Sequence, residues 1–280
     1  MHRVFMIEIP FGPCYGAIRA FKLAIEFIIE HKTVYYTEPI LHNRDVMAML
    51  NAEGTLIQAE IEDVPTGQPY IISAHGAPPR TYLVATERRI KVCDLTCQHI
   101  KNIQSRMKSE INDGGSLFII GVKRHQEIMA LAAYNHPNPT YIIEDASDLQ
   151  DLHQQIIHPV KVQIQSTIPA IHVKEIIDEI EIKYSISIES SDKDLCHAIR
   201  QRIDYINQLP ESQKTIYVLG SHTSQNTRTL MKATLMVGKT PVLVNAIPMS
   251  HDQEEPCVVL TATSYLDKTT STQNYLTKNV

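Results

Sequence analysis

Leu117-Phe118-Ile119-Ile120-Gly121, followed closely by His125-Gln126-Glu127, carries the pattern that decides the fold. Four consecutive apolar residues, too few for a helix, stop at a glycine, and titratable side chains come next. The pattern recurs. Tyr70-Ile71-Ile72 runs into Ser73-Ala74-His75-Gly76, and Thr215-Ile216-Tyr217-Val218-Leu219 runs into Gly220-Ser221-His222-Thr223-Ser224-Gln225-Asn226. Lys161-Val162-Gln163-Ile164 and Pro241-Val242-Leu243-Val244 read as further strands, and Val4-Phe5-Met6-Ile7-Glu8-Ile9 as one at the N-terminus. Helical periods fill the intervals over 17–30, 100–111, 173–182 and 198–209. Strand–helix alternation with short connections predicts an α/β fold with parallel sheets, whose functional groups collect where strands end and helices begin.

Three cysteines sit alike, one in each third of the chain: Cys14, Cys97 and Cys196 each stand at the start of a helix-like apolar pattern. A helix N-terminus aims unpaired N–H groups and partial positive charge at its first side chains, which favours a thiolate, the ligand form of cysteine. Three such ends suit a shared metal centre. Singly, each cysteine reads as a small buried hydrophobe, and it is the joint pattern that shifts the reading. Cys93 and Cys257 lie in the apolar runs Ile90-Lys91-Val92-Cys93 and Cys257-Val258-Val259-Leu260, and both read as strand core. Cys93 and Cys97 lack the second close pair that a zinc ribbon needs, so structural zinc is the weaker reading.

The strand ends also carry imidazoles. His42, in Leu41-His42-Asn43-Arg44, together with His75 and His125, forms with nearby hydroxyls and amides a candidate anion pocket. Ser224 and Asn43, taken alone, are expected helix caps. A repeated histidine is not expected to cap, because an N-cap favours a short oxygen side chain. The remaining features bound the function. A length of 280 residues predicts two or three domains, and 43% hydrophobic residues support a substantial core. A net charge of −5 without any basic block excludes binding nucleic acid through phosphate neutralisation. The apolar runs are too short for a membrane span, and the N-terminus enters a strand without a charged leader, so a cytoplasmic protein is expected. Thiols stay reduced there, which argues for metal or catalytic cysteines over disulfides. With ten glycines there is no phosphate cradle: Gly238-Lys239-Thr240 lacks the earlier glycine of a P-loop, and Gly238 and Gly114-Gly115 read as turns.

Taken in order, Cys14-Tyr15-Gly16, Arg19, His42-Asn43-Arg44, Ser73-Ala74-His75-Gly76, Asp94-Leu95-Thr96-Cys97, His125-Gln126-Glu127, Asp194-Leu195-Cys196 and Gly220-Ser221…Ser224-Gln225-Asn226 resemble the LytB-type 4-hydroxy-3-methylbut-2-enyl diphosphate reductase family. The resemblance implies three α/β lobes in a pseudo-threefold arrangement around a central 4Fe-4S cluster, divided here as 14–96, 97–193, and 194–280 with the N-terminal strand 1–13. It implies cluster ligation by Cys14, Cys97 and Cys196. It further implies substrate binding by His42, His75, His125, Ser166, Ser224, Asn226 and Ser264, all but Ser166 matching diphosphate-binding positions, with Glu127 as proton donor. The implied oxidoreductase removes the allylic hydroxyl of 4-hydroxy-3-methylbut-2-enyl diphosphate. The products are isopentenyl and dimethylallyl diphosphate for isoprene biosynthesis, and electrons come from a ferredoxin- or flavodoxin-type donor. The chain departs from the family pattern in several places. Ser166-Thr167-Ile168-Pro169 stands for Thr-Thr-Leu-Ser, Gln126 for proline, Gln225 for the second of two serines and Ile199 for threonine. Ile128-Met129-Ala130-Leu131 replaces a glycine-rich segment, and Ala262-Thr263-Ser264-Tyr265-Leu266 replaces a Gly-Ala-Ser-Ala-Pro element. These changes predict a pocket of altered size or loop geometry. The alternative they raise is a degenerate paralogue that keeps the fold and cluster but binds or senses, or one that reduces a different substrate.

Overall fold

The computed structural model describes residues 7–110, 114–135, 137–150, 152, 156–184, 188, 194–245 and 257–262. The chain forms two units, Met1–Gln58 with His197–Val280, and Ala59–Cys196.

In the first unit the order is β1 (Ile7–Glu8), α1 (Tyr15–His31), β2 (Thr33–Tyr36), α2 (Arg44–Glu53) and β3 (Thr55–Gln58). After the second unit come α8 (His197–Gln208), β9 (Thr215–Leu219), α9 (Gln225–Met236), β10 (Thr240–Val244) and β11 (Cys257–Thr261). Strands β1, β11, β9 and β10 form a parallel sheet in that order, with Ile7 opposite Cys257 and Val258 opposite Ile216. Strands β2 and β3 also pair in parallel. Helix α1 buries Ala17, Ala20, Phe21, Ala24, Ile25 and Ile28, a three-and-four spacing that turns one stripe inward.

The second unit runs β4 (Pro69–Ile72), α3 (Pro79–Glu87), β5 (Lys91–Asp94), α4 (Gln98–Glu110), β6 (Ser116–Ile120), α5 (Gln126–Ala132), β7 (Thr140–Ile143), α6 (Ser147–Gln150), β8 (Val160–Ile164) and α7 (Ala170–Tyr184). Strands β4 and β5 pair in parallel, and β7, β6 and β8 make a parallel sheet with β6 in the middle. Because successive strand residues face opposite sides, the apolar run in β6 serves two cores at once. Phe118 and Ile120 join Tyr141, Ile143 and Ile164 beneath α7, while Leu117 and Ile119 join Ile100, Ile103, Met107, Ile128 and Leu131 from α4 and α5.

The expected α/β class with parallel sheets is the one observed, and the strands read at β4, β6, β8, β9 and β10 agree within one residue; of the N-terminal run 4–9, residues 4–6 lie outside the described residues and β1 covers Ile7–Glu8. Gly238 is in a turn at φ 73° before β10. Cys93 lies in β5 but is only half-buried, because Lys91–Asp94 is a partly solvated strand; Cys257 begins β11. The polar tail 269–274 and Ser264, with its neighbours 263–266, lie outside the described residues.

Phe118 is fully buried, with its ring 5.3 Å from Tyr141 and 5.4 Å from Tyr184. Phe118→Ala leaves a cavity under the central strand and is expected to destabilise the second unit by about 3–5 kcal/mol. Denaturant unfolding followed by near-UV circular dichroism checks this; an unchanged midpoint contradicts it.

Candidate active site

The carboxyl end of β6 and the segment after β8 build the chemistry of the second unit. Gly121 ends β6 where no side chain fits: a Cβ would lie 2.6 Å from Ile128 Cδ1 and 2.8 Å from Gln165. Helix α5 then starts at Gln126, and His125 caps it, its Nδ1 accepting the Glu127 N–H at 3.3 Å. The expectation that a histidine does not cap is therefore corrected. An unprotonated imidazole nitrogen reaches the second residue of the helix as a carboxamide oxygen would, and the same bond fixes the tautomer, placing the proton on Nε2.

Glu127 is 1% exposed. Its two oxygens accept from Ser166, Oε1 from the backbone N–H at 2.6 Å and Oε2 from the hydroxyl at 2.8 Å. Although it stands in the first turn of α5, Glu127 is therefore shielded from solvent. Burial pushes its pKa up to about 7, outweighing the opposing pull of the two Ser166 bonds, and Asp194 adds to the rise. Near neutral pH the group both holds and releases a proton, as a general acid must.

Ser166 makes one more bond: its carbonyl accepts the Cys196 N–H at 2.7 Å. The turn entering Cys196 is organised by Asp194, which is 1% exposed and which the sequence reading left without a role. Its carboxylate is paired with Arg106 and accepts from Gln163 Nε2 at 2.9 Å, while its carbonyl lies 2.7 Å from His99 Nε2. Asp194 is thus a second buried carboxylate in the surroundings of Glu127. Asp194, two residues before Cys196, was the available signal. The turn into Cys97 uses Asp94 in a parallel way: Oδ1 accepts the Thr96 N–H at 2.9 Å and Oδ2 meets Lys101 at 2.8 Å, while the Cys97 N–H donates to Ala74 O at 3.0 Å.

His75 lies in the turn after β4, before Gly76 at φ 84°, rather than at a helix start. Its ring meets that of His125 edge-on at 5.6 Å, so two of the expected imidazoles are together. Ser73, also buried, accepts the His75 N–H at 3.3 Å and contacts Gln126 Oε1 at 3.5 Å.

In the first unit, Cys14 caps α1, its Sγ accepting the Ala17 N–H at 3.4 Å. Asn43 caps α2 and Ser224 caps α9, as expected. His42 precedes Asn43, and its pKa is lowered by burial and then by the Arg228 guanidinium. Gln225, at the start of α9, has a buried Oε1 with no hydrogen-bond partner among the described residues.

The donor chemistry fits a thiolate-held cluster: Cys14, Cys97 and Cys196 are half-buried, and each directly precedes a helix, α1, α4 and α8. Cys14 belongs to the first unit, Cys97 and Cys196 to the second. Among the described residues there is no group of three or more His, Cys, Asp or Glu side chains that could hold a metal ion.

A profile of the LytB protein family matches residues 5–278. The chain belongs to the LytB family. Among its relatives, the 4-hydroxy-3-methylbut-2-enyl diphosphate reductase of Chlamydia pneumoniae is 28% identical over 238 residues, covering 84% of this LytB chain and 76% of the relative. The enzyme of the same name from Tolumonas auensis is 27% identical over 249 residues, covering 87% and 80%. The solved E-1-hydroxy-2-methyl-but-2-enyl-4-diphosphate reductase from Plasmodium falciparum matches with a TM-score of 0.80 at 24% identity, over 93% of this chain and 83% of that one, a likeness of fold. Among the described residues, no helix of this LytB protein is long and apolar enough to cross a membrane.

The folded Glu127 binds its proton more tightly than the unfolded one. Its stabilising contribution is therefore complete below about pH 4.5 and is lost as pH rises through about 7. Glu127→Gln is neutral throughout. Relative to the variant, the wild type is expected to lose stability across this interval, and thermal unfolding at several pH values checks it; parallel profiles contradict the raised pKa.

Proposed function

We propose that this LytB protein is a reductase of an allylic diphosphate, converting 4-hydroxy-3-methylbut-2-enyl diphosphate to isopentenyl and dimethylallyl diphosphate. The buried, Ser166-held Glu127 carries this reading, since the reaction needs an acid that retains its proton near neutral pH. Two electrons and two protons enter, the allylic C–O bond breaks, and water leaves. Hydroxide is a poor leaving group until protonated, and Glu127 delivers that proton to the departing oxygen. Ser166 acts on the substrate through the acid it orients. His75 and His125 bind the diphosphate; His125 donates from Nε2 because its Nδ1 is engaged with α5. His42, Ser224, Asn226 and Ser264 complete the diphosphate contacts.

Cys14, Cys97 and Cys196 would hold a 4Fe-4S cluster, which when bound would supply electrons and Lewis acidity. The thiol-before-helix arrangement supports this assignment. Three lobes, 14–96, 97–193 and 194–280 with 1–13, would each bring one of these thiols; the pairing of β1 with β11 supports grouping the N-terminal strand with the last segment. A ferredoxin- or flavodoxin-type protein supplies the electrons, and the protein acts in the cytoplasm on a small molecule.

Serine replacement of Cys14, Cys97 or Cys196 is expected to abolish the visible iron–sulfur absorbance of anaerobically purified protein, while Cys93→Ser retains it. With a chemical reductant, Glu127→Gln is expected to keep the cluster and lose about 10²–10⁴-fold in turnover. Loss of the cluster in Cys93→Ser overturns the ligand set. A loaded wild type inactive on every allylic diphosphate tested overturns the enzyme and leaves a sensor or binding protein that retains the cluster.

A further inference from the structure

Two arginines on helices that follow thiols reach back to segments that precede other thiols. Helix α4 begins directly after Cys97. From it, Arg106 pairs with the Asp194 carboxylate, and His99, about two turns earlier on the same face, meets the Asp194 carbonyl at 2.7 Å. Asp194 lies two residues before Cys196. Gln163 of β8 closes a triangle, accepting from Arg106 Nη2 at 3.1 Å and donating to Asp194 Oδ2 at 2.9 Å.

Helix α8 begins directly after Cys196, and Arg202 on it is 2% exposed. It donates to three carbonyls in three directions: Nη2 to Gly12 at 2.5 Å, Nε to Thr261 at 2.8 Å and Nη1 to Ala198 at 2.7 Å. Its guanidinium also stacks 4.9 Å from the Phe11 ring, and Thr261 Oγ1 donates to Phe11 O at 2.6 Å. Gly12 lies two residues before Cys14. The same relation therefore occurs twice, on non-homologous partners, a carboxylate in one case and a backbone carbonyl in the other.

We propose that Arg106 and Arg202 are positioning residues for the cluster thiols: Arg106 fastens the segment entering Cys196 to the helix that follows Cys97, and Arg202 fastens the segment entering Cys14 to the helix that follows Cys196. This rests on the thiol ligation proposed above. Each arginine acts through the segment it holds. A planar guanidinium with five divergent donors suits the task, and a lysine ammonium reproduces only part of it. The two sites then separate. Arg106→Lys keeps a charge for the buried Asp194 and restores much of the function, whereas Arg202→Lys keeps one of three carbonyl contacts and restores little.

The test uses full-length protein reconstituted anaerobically with iron and sulfide. Iron and sulfide content, the rate of cluster loss to a chelator and the electron paramagnetic resonance spectrum of the reduced protein are measured beside circular dichroism of the cluster-free chains. Arg106→Gln and Arg202→Gln are expected to lose the cluster about 10–100-fold faster than wild type with a changed resonance spectrum, the range typical of groups that orient metal ligands. Arg106→Lys is expected near wild type and Arg202→Lys near its glutamine variant. Arg106→Gln strands a buried carboxylate; should it fail to fold, the double variant R106Q/D194N carries the measurement, since it leaves no unpaired charge. Wild-type cluster lifetime and spectrum in the folded glutamine or double variants overturn the proposal. A wild type that takes up no iron overturns the ligation reading instead, so the two failures are distinct.

Discussion

All three polar groups of Ser166 are engaged: its N–H and hydroxyl hold the two oxygens of Glu127, and its carbonyl holds the Cys196 N–H. One residue just beyond β8 thus ties the acid to the segment that presents a thiol. The sheet beneath supplies the rigidity. Because β6 is central and buried on both faces, Gly121 and the segment after β8 are anchored by two cores, and the Val122 N–H, donating to Gln165 Oε1 at 2.8 Å, joins the two strand ends directly. Sites on such scaffolds hold their geometry better than sites on free loops.

The electrostatics follow from that placement. A carboxylate receiving two hydrogen bonds ordinarily becomes more acidic, but Glu127 is so deeply buried that desolvation wins and the proton is retained to about pH 7. Asp194 is buried too, and its pKa is also raised by burial, against the pull of Arg106. The two acids differ in their partners: Asp194 has a guanidinium and serves geometry, whereas among the described residues the donors to Glu127 are neutral, so it remains protonatable. Environment assigns different roles to the same chemical group.

Much of this was legible in the sequence because it is local. The four-residue apolar runs announced their strands, the three-and-four spacing announced α1, and the thiol-before-helix placement of Cys14, Cys97 and Cys196 holds in the structure. What escaped is non-local or defies a composition rule. His125 caps a helix without being a short oxygen side chain, and nothing in His125-Gln126-Glu127 betrays that Ser166, 39 residues on, holds both oxygens of a buried Glu127. The Arg106–Asp194 and Arg202–Gly12 contacts join residues too far apart in the chain to leave any periodic trace. The half-burial of Cys93 likewise depends on how β5 is covered, which its apolar neighbours alone do not determine.

The central claim is that a buried Glu127, protonated near neutral pH, gives its proton to the departing oxygen of an allylic diphosphate. Its most direct test is the pH dependence of single-turnover dehydroxylation by the reduced, cluster-loaded protein, with electron supply removed from the rate by prior chemical reduction. The account predicts a rate that is level at low pH and falls about tenfold per pH unit above about pH 7. A rate that stays level or rises through that range contradicts it.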